Sequence, residues 1–551
     1  MKPPRLAVIA AVAATVILCA AGARSGSGGV AKRAGNATDI PHALAVSPDG
    51  ARAFVTGDSD GGIKTNLDFA TIAYNVRTGK KIWTARYNGP AGRPDGAEAI
   101  GLSANGKRVY VTGATVRKKS GYDFETLAYD AATGKRLWAA RYNGPAGRDD
   151  GGEKLAVSAD GARVFVTGTS WGGKRAGDDY ATIAYDGRTG RRLWVARYDG
   201  PAHGTEEWPS VAASADGAKV FVSGGSASND GFEYAAIAYD ASSGAQLWAS
   251  RYDGPTQFGG EACSVAGAGD GSRVFASGYT GSEGGWDDAT TVAFDAATGA
   301  RLWVASYAGV GTPADGTNVD DRTCSLHVSS DGTKVFGTGF CCSGEDDDGD
   351  YLTVAYEAAT GKRLWAARYD DPVRGLDWAH SLGLSPDGTK VFVNGESEAR
   401  KPRYSEDYAT VAYDANTGTQ LWSARYDGPG KAGDAGGSLG VSANGRRVVV
   451  TGVSAGKKTG FDYATIAYDA AGGHRVWVRR YNGPGVICLV PYVVGLTLRA
   501  ARAAVRAANC TVGKIVRDPS ANAKKGRVAY QNPPAGTRLA PKGHVDLGMK
   551  P

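Results

Sequence analysis

The chain's 551 residues leave room for two to four domains, or for one repeat array with an appendage. Apolar residues at 42% and charged residues at 22% exclude wholesale disorder and a polytopic membrane protein. The net charge of +7 is unevenly spread, with 11 Lys and Arg against 2 Asp from Gly485 onward and 5 against 1 over residues 1–39; the body between is acidic, so no nucleic-acid partner is expected.

At the N-terminus, Lys2 and Arg5 precede an apolar run from Leu6 to Cys19, followed by Ala21-Gly22-Ala23. About 14 apolar residues fall short of a bilayer span, so residues 1–23 read as an export signal cleaved after Ala23. Leu18 stands where a lipobox needs a small residue, which argues against lipidation at Cys19. Residues 24–39 read as a linker. Six cysteines then remain, and in an oxidising compartment they are expected as disulfides.

From residue 40 to 484 one unit recurs eight times. DFETLAYDAATGKRLWAARY at Asp123 returns as DYATIAYDGRTGRRLWVARY at Asp179 and as DYATVAYDANTGTQLWSARY at Asp407. The marker tryptophans, Trp83, Trp138, Trp194, Trp248, Trp303, Trp365, Trp422 and Trp477, lie 54 to 62 residues apart. A second phased element, S-x-[DN]-G-x-x-V-[FY]-V-T-G, starts at Ser47, Ser103, Ser158, Ser214, Ser329, Ser385 and Ser442, and is degenerate before Asp270.

Each unit reads as four short strands, in the second unit Glu98 to Leu102, Arg108 to Thr112, Phe124 to Tyr129 and Arg136 to Tyr142. Asn105-Gly106 and Thr133-Gly134 supply the positive-φ glycine of a tight hairpin, with a variable loop between the middle strands. Four antiparallel strands about every 55 residues predict an all-β, eight-bladed β-propeller whose closure hides the sheet edges. In each first strand the residues one and three before the motif serine are mostly bulky (Leu102 and Ile100, Leu384 and Leu382), and those two and four before it mostly small (Gly101 and Ala99, Gly383 and Ser381). Since side chains alternate, bulky faces are expected to pack on bare ones around the ring.

The A-Y-D-A-x-T-G-x-x-x-W element, clearest over Ala128–Trp138 and Ala412–Trp422, resembles the tryptophan-bearing PQQ-like repeat of the quinoprotein-dehydrogenase-like propellers, across residues 40–484. The resemblance implies eight blades and leaves activity open, because the same repeat serves dehydrogenases and non-enzymatic assembly scaffolds.

After Tyr481-Asn482-Gly483-Pro484 no tryptophan follows and basic residues accumulate. The segment from Val490 (VPYVVGLTLRAARAAV), with a helix expected over Thr497 to Ala508, then Val512-Gly513-Lys514, VAYQNPPAG from Val528 and Val545-Asp546-Leu547, resembles a PASTA domain. That family is an extracellular α+β unit associated with peptidoglycan fragments, here over residues 485–551. Cys488 and Cys510 flank its first strand and helix and are expected to be bonded, which helps so small a unit stay folded.

Counting five residues back from each motif serine gives His42, Glu98, Glu153, Pro209, Cys263, Cys324, His380 and Gly437. If the inner strand starts on the face where inter-blade loops meet, these line the mouth of the central channel. The preceding loops add Asp149, Asp150, Glu206, Glu207, Asp320, Asp321 and Asp377, with Trp208 and Trp378 interleaved. His42, Glu98, Glu153, Glu207, Trp208, Asp320, Asp321, Trp378 and His380 are the candidates for an acidic, aromatic-lined site for a cation or polyol, the simpler alternative being solvated loop charge. Glu345 to Asp350 resembles a calcium loop in composition only, and no metal site is expected.

Cys341-Cys342 is similar to the vicinal cysteine ring that quinoprotein alcohol dehydrogenases carry beside their cofactor. However, the family's Glu, Asn and Asp set has no residue-by-residue match and a c-type haem motif is missing. Cys263 and Cys324 hold equivalent positions on neighbouring inner strands, which suits a blade-to-blade disulfide; bonding of either to the Cys341-Cys342 pair is the alternative. The Arg three residues after Trp, as in Arg86, Arg141, Arg197 and Arg368, recurs in seven of eight units and reads as a structural brace.

The expected protein is therefore secreted and cell-wall associated: a monomeric, non-catalytic binding or scaffold propeller without a cofactor. Its PASTA module would meet peptidoglycan or another anionic wall polymer, and its propeller face an unassigned protein or small ligand. The alternative is an alcohol or sugar dehydrogenase using pyrroloquinoline quinone and calcium.

Overall fold

The computed structural model describes residues 38–61, 67–173, 177–229, 231–255, 259–281, 287–309, 320–343, 348–371, 375–398, 406–457, 459–483, 488–508, 510–539 and 542–551, and the proposed signal peptide and most of the linker lie outside these. Blade 1 consists of β1 (Asp39–Val46), β2 (Arg52–Asp60), β3 (Leu67–Asn75) and β4 (Lys81–Tyr87), antiparallel in chain order. Seven further four-stranded sheets follow: blade 2 (95–142), blade 3 (150–198), blade 4 (206–252), blade 5 (260–307), blade 6 (322–369), blade 7 (377–426) and blade 8 (434–481). The two middle strands of each blade outrun the sequence reading; in blade 2 they are Arg108–Arg117 and Gly121–Asp130, because the hairpin stays in register as far as Arg117 opposite Gly121.

The turns follow from side chains that hydrogen-bond locally. In blade 1 the Ser47 hydroxyl accepts from Arg52 N at 2.9 Å and Asp49 accepts from Ala51 N at 2.9 Å, closing the first hairpin. Asp130 accepts from both Thr133 N and Thr133 Oγ1, closing the third hairpin of blade 2 before Gly134 at φ +73°.

One contact set repeats at every blade junction. The indole N–H of each marker tryptophan donates to a carbonyl of the next blade, from Trp83 to Ala131 at 3.1 Å round to Trp422 to Ala470 at 3.2 Å. The set ends with Trp477 donating to Val76 at 2.8 Å, which closes the ring of eight. The indole lies on the turn glycine of that next blade: a Cβ on Gly134 would stand 2.6 Å from Trp83, and one on Gly79 2.6 Å from Trp477. Glycine is thus required twice at these turns, for positive φ and for the ring against it. Bulky-on-bare packing also holds, since a Cβ on Gly101 would meet Leu155 at 2.4 Å and one on Gly383 would meet Leu439 at 2.6 Å.

The recurring arginine is a brace, as expected. It pairs with the acid that opens the third strand, as in Arg86–Asp68 at 3.0 Å, Arg197–Asp179 at 2.6 Å and Arg480–Asp462 at 2.8 Å. The same guanidinium reaches the preceding blade, with Arg86 donating to Tyr481 Oη at 2.9 Å. Blade 5 carries Ser306 there, held to Thr290 at 3.0 Å.

Among the described residues two disulfides form, Cys263–Cys324 between blades 5 and 6 and Cys488–Cys510 in the C-terminal unit. This settles the alternative against bonding of Cys263 or Cys324 to the Cys341-Cys342 pair. Cys341 is buried, while the side chain of Cys342 and residues 345–347 of the acidic run lie outside the described residues.

The C-terminal unit has α1 (Leu498–Ala507), capped by Thr497, whose hydroxyl accepts from Ala500 N. The helix packs Ala501 and Val505 into a core with Val528, Val545 and Leu547. Its three-stranded sheet pairs Thr511–Arg517 in parallel and Val528–Asn532 antiparallel with His544–Met549.

Candidate functional site

All eight residues five before the motif serine fall on one structural feature. In every blade the first strand bulges there, so the register skips His42, Glu98, Glu153, Cys263, Cys324, His380 and Gly437, and in blade 4 both Trp208 and Pro209. A bulge leaves its residue out of the ladder and re-aims the side chain. On the innermost strand of eight converging sheets, the re-aimed side chains meet those of neighbouring blades.

Two junctions show the meeting directly. Cys263 and Cys324 bond covalently across blades 5 and 6. At blades 1 and 2, His42 Nδ1 lies 3.9 Å from Glu98 Oε2 while its Nε2 lies 3.3 Å from Asp58 Oδ2. Burial pulls the His42 imidazole down, but the Glu98 and Asp58 carboxylates on either side win and push it up to about 9. Glu153, with Thr169 donating to it at 3.0 Å, is driven by burial up to about 7.

The remaining candidates are dispersed. Trp378 packs on Phe340 at 4.5 Å and stacks on His380 at 5.7 Å. Trp208 is 43% exposed and held at φ +56°, an uncommon backbone for a bulky residue. Glu207 is pushed up by burial and then by Glu261 and Asp178. Asp320 accepts from Asp287 N at 3.1 Å in the loop before blade 6. Asp321 is buried and accepts from Gly309 N, anchoring an inter-blade loop as Asp150 does for Gly144 and Asp434 for Gly428.

Sequence reasoning passed over Asp58, Ser381, Asn394 and Glu396. Their signal lay in aligning the second strands: the residue after the T-G pair is Asp58, Ala114, Thr169, Gly225, Tyr279, Phe340, Glu396 and Val453, carboxylic only in the two blades that carry histidine at the bulge.

Metal-like groupings occur elsewhere. Asp350, Asp370 and Asp377 converge, as do Asp407, Asp427 and Asp434. Each triad is held against its blade's guanidinium, Arg368–Asp350 at 3.1 Å and Arg425–Asp407 at 3.3 Å, which already supplies the positive charge. Cys341 occupies the brace position where other blades place Ser59, Ser170 or Ser454. Among the described residues neither carboxylate triad is free of an arginine partner, so neither fits a resident calcium ion.

The His42 bridge carries a pH dependence. A base raised in the folded state stabilises fully below its unfolded value near 6.5, and loses that contribution as pH climbs through about 9. Denaturant unfolding should show a loss of at most about 3 kcal/mol between pH 6.5 and 9 that His42→Asn abolishes. An identical slope in the variant would rule the bridge out as its source.

Residues 68–319 and 287–477 match the PQQ_2 family, described as outer membrane protein assembly factor BamB, and residues 489–549 match the PASTA domain. No curated protein gives a match. Among solved structures, BamB from Moraxella catarrhalis is 17% identical, covering 67% of this chain and 87% of its own, with a TM-score of 0.36. A europium-containing methanol dehydrogenase is 12% identical over 77% and 84%, with a TM-score of 0.46. Hydrazine synthase of Kuenenia stuttgartiensis is 15% identical over 64% and 91%, with a TM-score of 0.41.

Proposed function

The chain belongs to the PQQ_2 repeat family through its propeller and carries a PASTA domain at its C-terminus, and from this we propose a non-catalytic binding or scaffold protein of the extracytoplasmic space, held to the cell wall by the PASTA unit. Two disulfides and a PASTA domain point to an extracellular or periplasmic setting. No helix among the described residues is long and apolar enough to cross a membrane.

The observation that carries the reading is the charge division between the two parts. An acidic propeller is joined to a unit bearing 11 Lys and Arg against 2 Asp. On that unit Arg499, Arg502 and Arg506 are exposed on α1, and Tyr492 and Tyr530 are 71% and 45% exposed. Exposed guanidinium groups and exposed aromatic rings on one unit suit an anionic, sugar-bearing polymer such as peptidoglycan. The propeller, whose junctions repeat one contact set, supplies a rigid frame with its variable residues on the loop face.

Sedimentation with purified peptidoglycan tests this. The full chain should be retained in a salt-sensitive way, and a chain ending at residue 484 should stay in solution. Equal retention of the two would remove the role given to the PASTA unit.

A further inference from the structure

Internal repetition makes blade 7 legible against its seven siblings. At blades 1 and 2 the bulge histidine is enclosed by two carboxylates, Asp58 of its own blade and Glu98 of the next. Blade 7 repeats the first half, with His380 Nε2 3.6 Å from Glu396 Oε1. The second half is absent, because blade 8 places Gly437 where blade 2 places Glu98. A Cβ built on Gly437 would meet only the Thr451 carbonyl, at 3.7 Å, so the position has room for a side chain or a ligand group.

Polar groups around that opening lack the partners their counterparts have. Asp58 accepts from Ala97 N at 3.0 Å, yet both oxygens of Glu396, 1% exposed, have no hydrogen-bond donor from the protein. Thr56, Thr112 and Thr167 pair with a threonine of the next strand; Asn394 takes that place, uses Oδ1 to accept from Thr410 at 3.1 Å, and leaves its buried Nδ2 unmatched. Ser325 and Ser438 each accept a backbone N–H from the following blade, whereas Ser381 Oγ has no partner. A buried polar group left unmatched is costly, and Glu396, Asn394 and Ser381 share that state here.

We propose that this notch, formed by His380, Ser381, Asn394 and Glu396 against Gly436-Gly437, binds hydroxyl groups of a neutral polyhydroxyl ligand of the saccharide class. The unmatched set mixes donors, on Asn394 and Ser381, with acceptors on Glu396. An anion is repelled by Glu396, and a bare cation leaves the Asn394 amide unmatched; a hydroxyl both donates and accepts and satisfies both kinds. Trp378, half-buried and in contact with both His380 and Phe340, places an indole beside the notch. The proposal extends the reading of the loop face as the recognition face, and does not depend on the PASTA unit.

Titration calorimetry on the full chain, with glucose and N-acetylglucosamine as neutral probes and acetate, tetramethylammonium and calcium chloride as charged ones, tests it. Saccharide binding in the millimolar range is expected, at least tenfold weaker in Glu396→Gln. Gly437→Glu restores the blade 2 arrangement, at a backbone without positive φ, and should abolish binding while keeping the parent's melting temperature or raising it. A chain ending at residue 484 should bind the sugars as the full chain does, even if it no longer sediments with peptidoglycan. Absence of saccharide heat, a preference for a charged probe, or undiminished binding by a folded Gly437→Glu protein would each overturn the assignment.

Discussion

Replacing Trp477 with alanine should destabilise the propeller by about 3–5 kcal/mol, the cost of deleting a buried indole, and should also open the ring. The chain crosses every other junction, as from Tyr87 to Asp95 between blades 1 and 2, so blades that lose contact there remain tethered. Between blades 8 and 1 it does not cross. That junction rests on Trp477 to Val76, Tyr463 to Ala70, Arg479 to Gly79 and Leu44 to Ser438, over a core of Leu44, Val55 and Ile72 against Val449 and Tyr463. Among the described residues no strand is shared between the first and last blades, and an isolated bridge joins Thr38 to Phe461. Trp138→Ala removes the same indole from a tethered junction, so it should match the loss of stability without the opening. Small-angle scattering below the unfolding transition separates them: the radius of gyration should rise for Trp477→Ala only. Equal radii in the two variants would show that other contacts suffice to close the ring.

The ring was legible because its determinants are local and repeated. Serine, aspartate and glycine at fixed offsets write the hairpins, and tryptophan about every 55 residues writes the junctions. The arginine brace could be read as structural from recurrence alone, and the pairs Arg86–Asp68 and Arg480–Asp462 bear that out. The bulge could not be read. Glu98 and its counterparts look like ordinary strand residues, and only pairing with the second strand reveals that the ladder skips them. For the same reason Asp321, counted with the channel-mouth acids by proximity in sequence, is a buried loop anchor. Glu396 and Asn394 escaped notice because each sits in a strand of otherwise common pattern; their meaning appears once the groups facing them across blades 7 and 8 are known.

Removing the Cys263–Cys324 bridge should have the second-largest effect. The crosslink closes a loop of 61 residues, for which the chain-entropy limit is about 4 kcal/mol, and measured values usually fall at 2–4 kcal/mol. Blade 5 has the greatest need of it. Ala268 replaces the motif serine, so the hydroxyl bonds that Ser47 and Ser158 make to the hairpin backbone are missing. Ser306 replaces the brace arginine, and a Ser306–Thr290 contact stands in for an ion pair. The connection from Tyr307 to Arg322 is also longer than that from Tyr87 to Asp95, which lowers the effective concentration of blade 6 beside blade 5. A covalent link at the bulge position offsets these losses, in the place where blades 1 and 2 use the His42–Glu98 contact. The Cys263→Ser, Cys324→Ser double variant should therefore unfold at lower denaturant, while the double variant Cys488→Ser, Cys510→Ser should leave the unfolding midpoint of the propeller unchanged. An unshifted midpoint in the first variant would mean that neighbouring packing, and not the crosslink, holds blades 5 and 6 together.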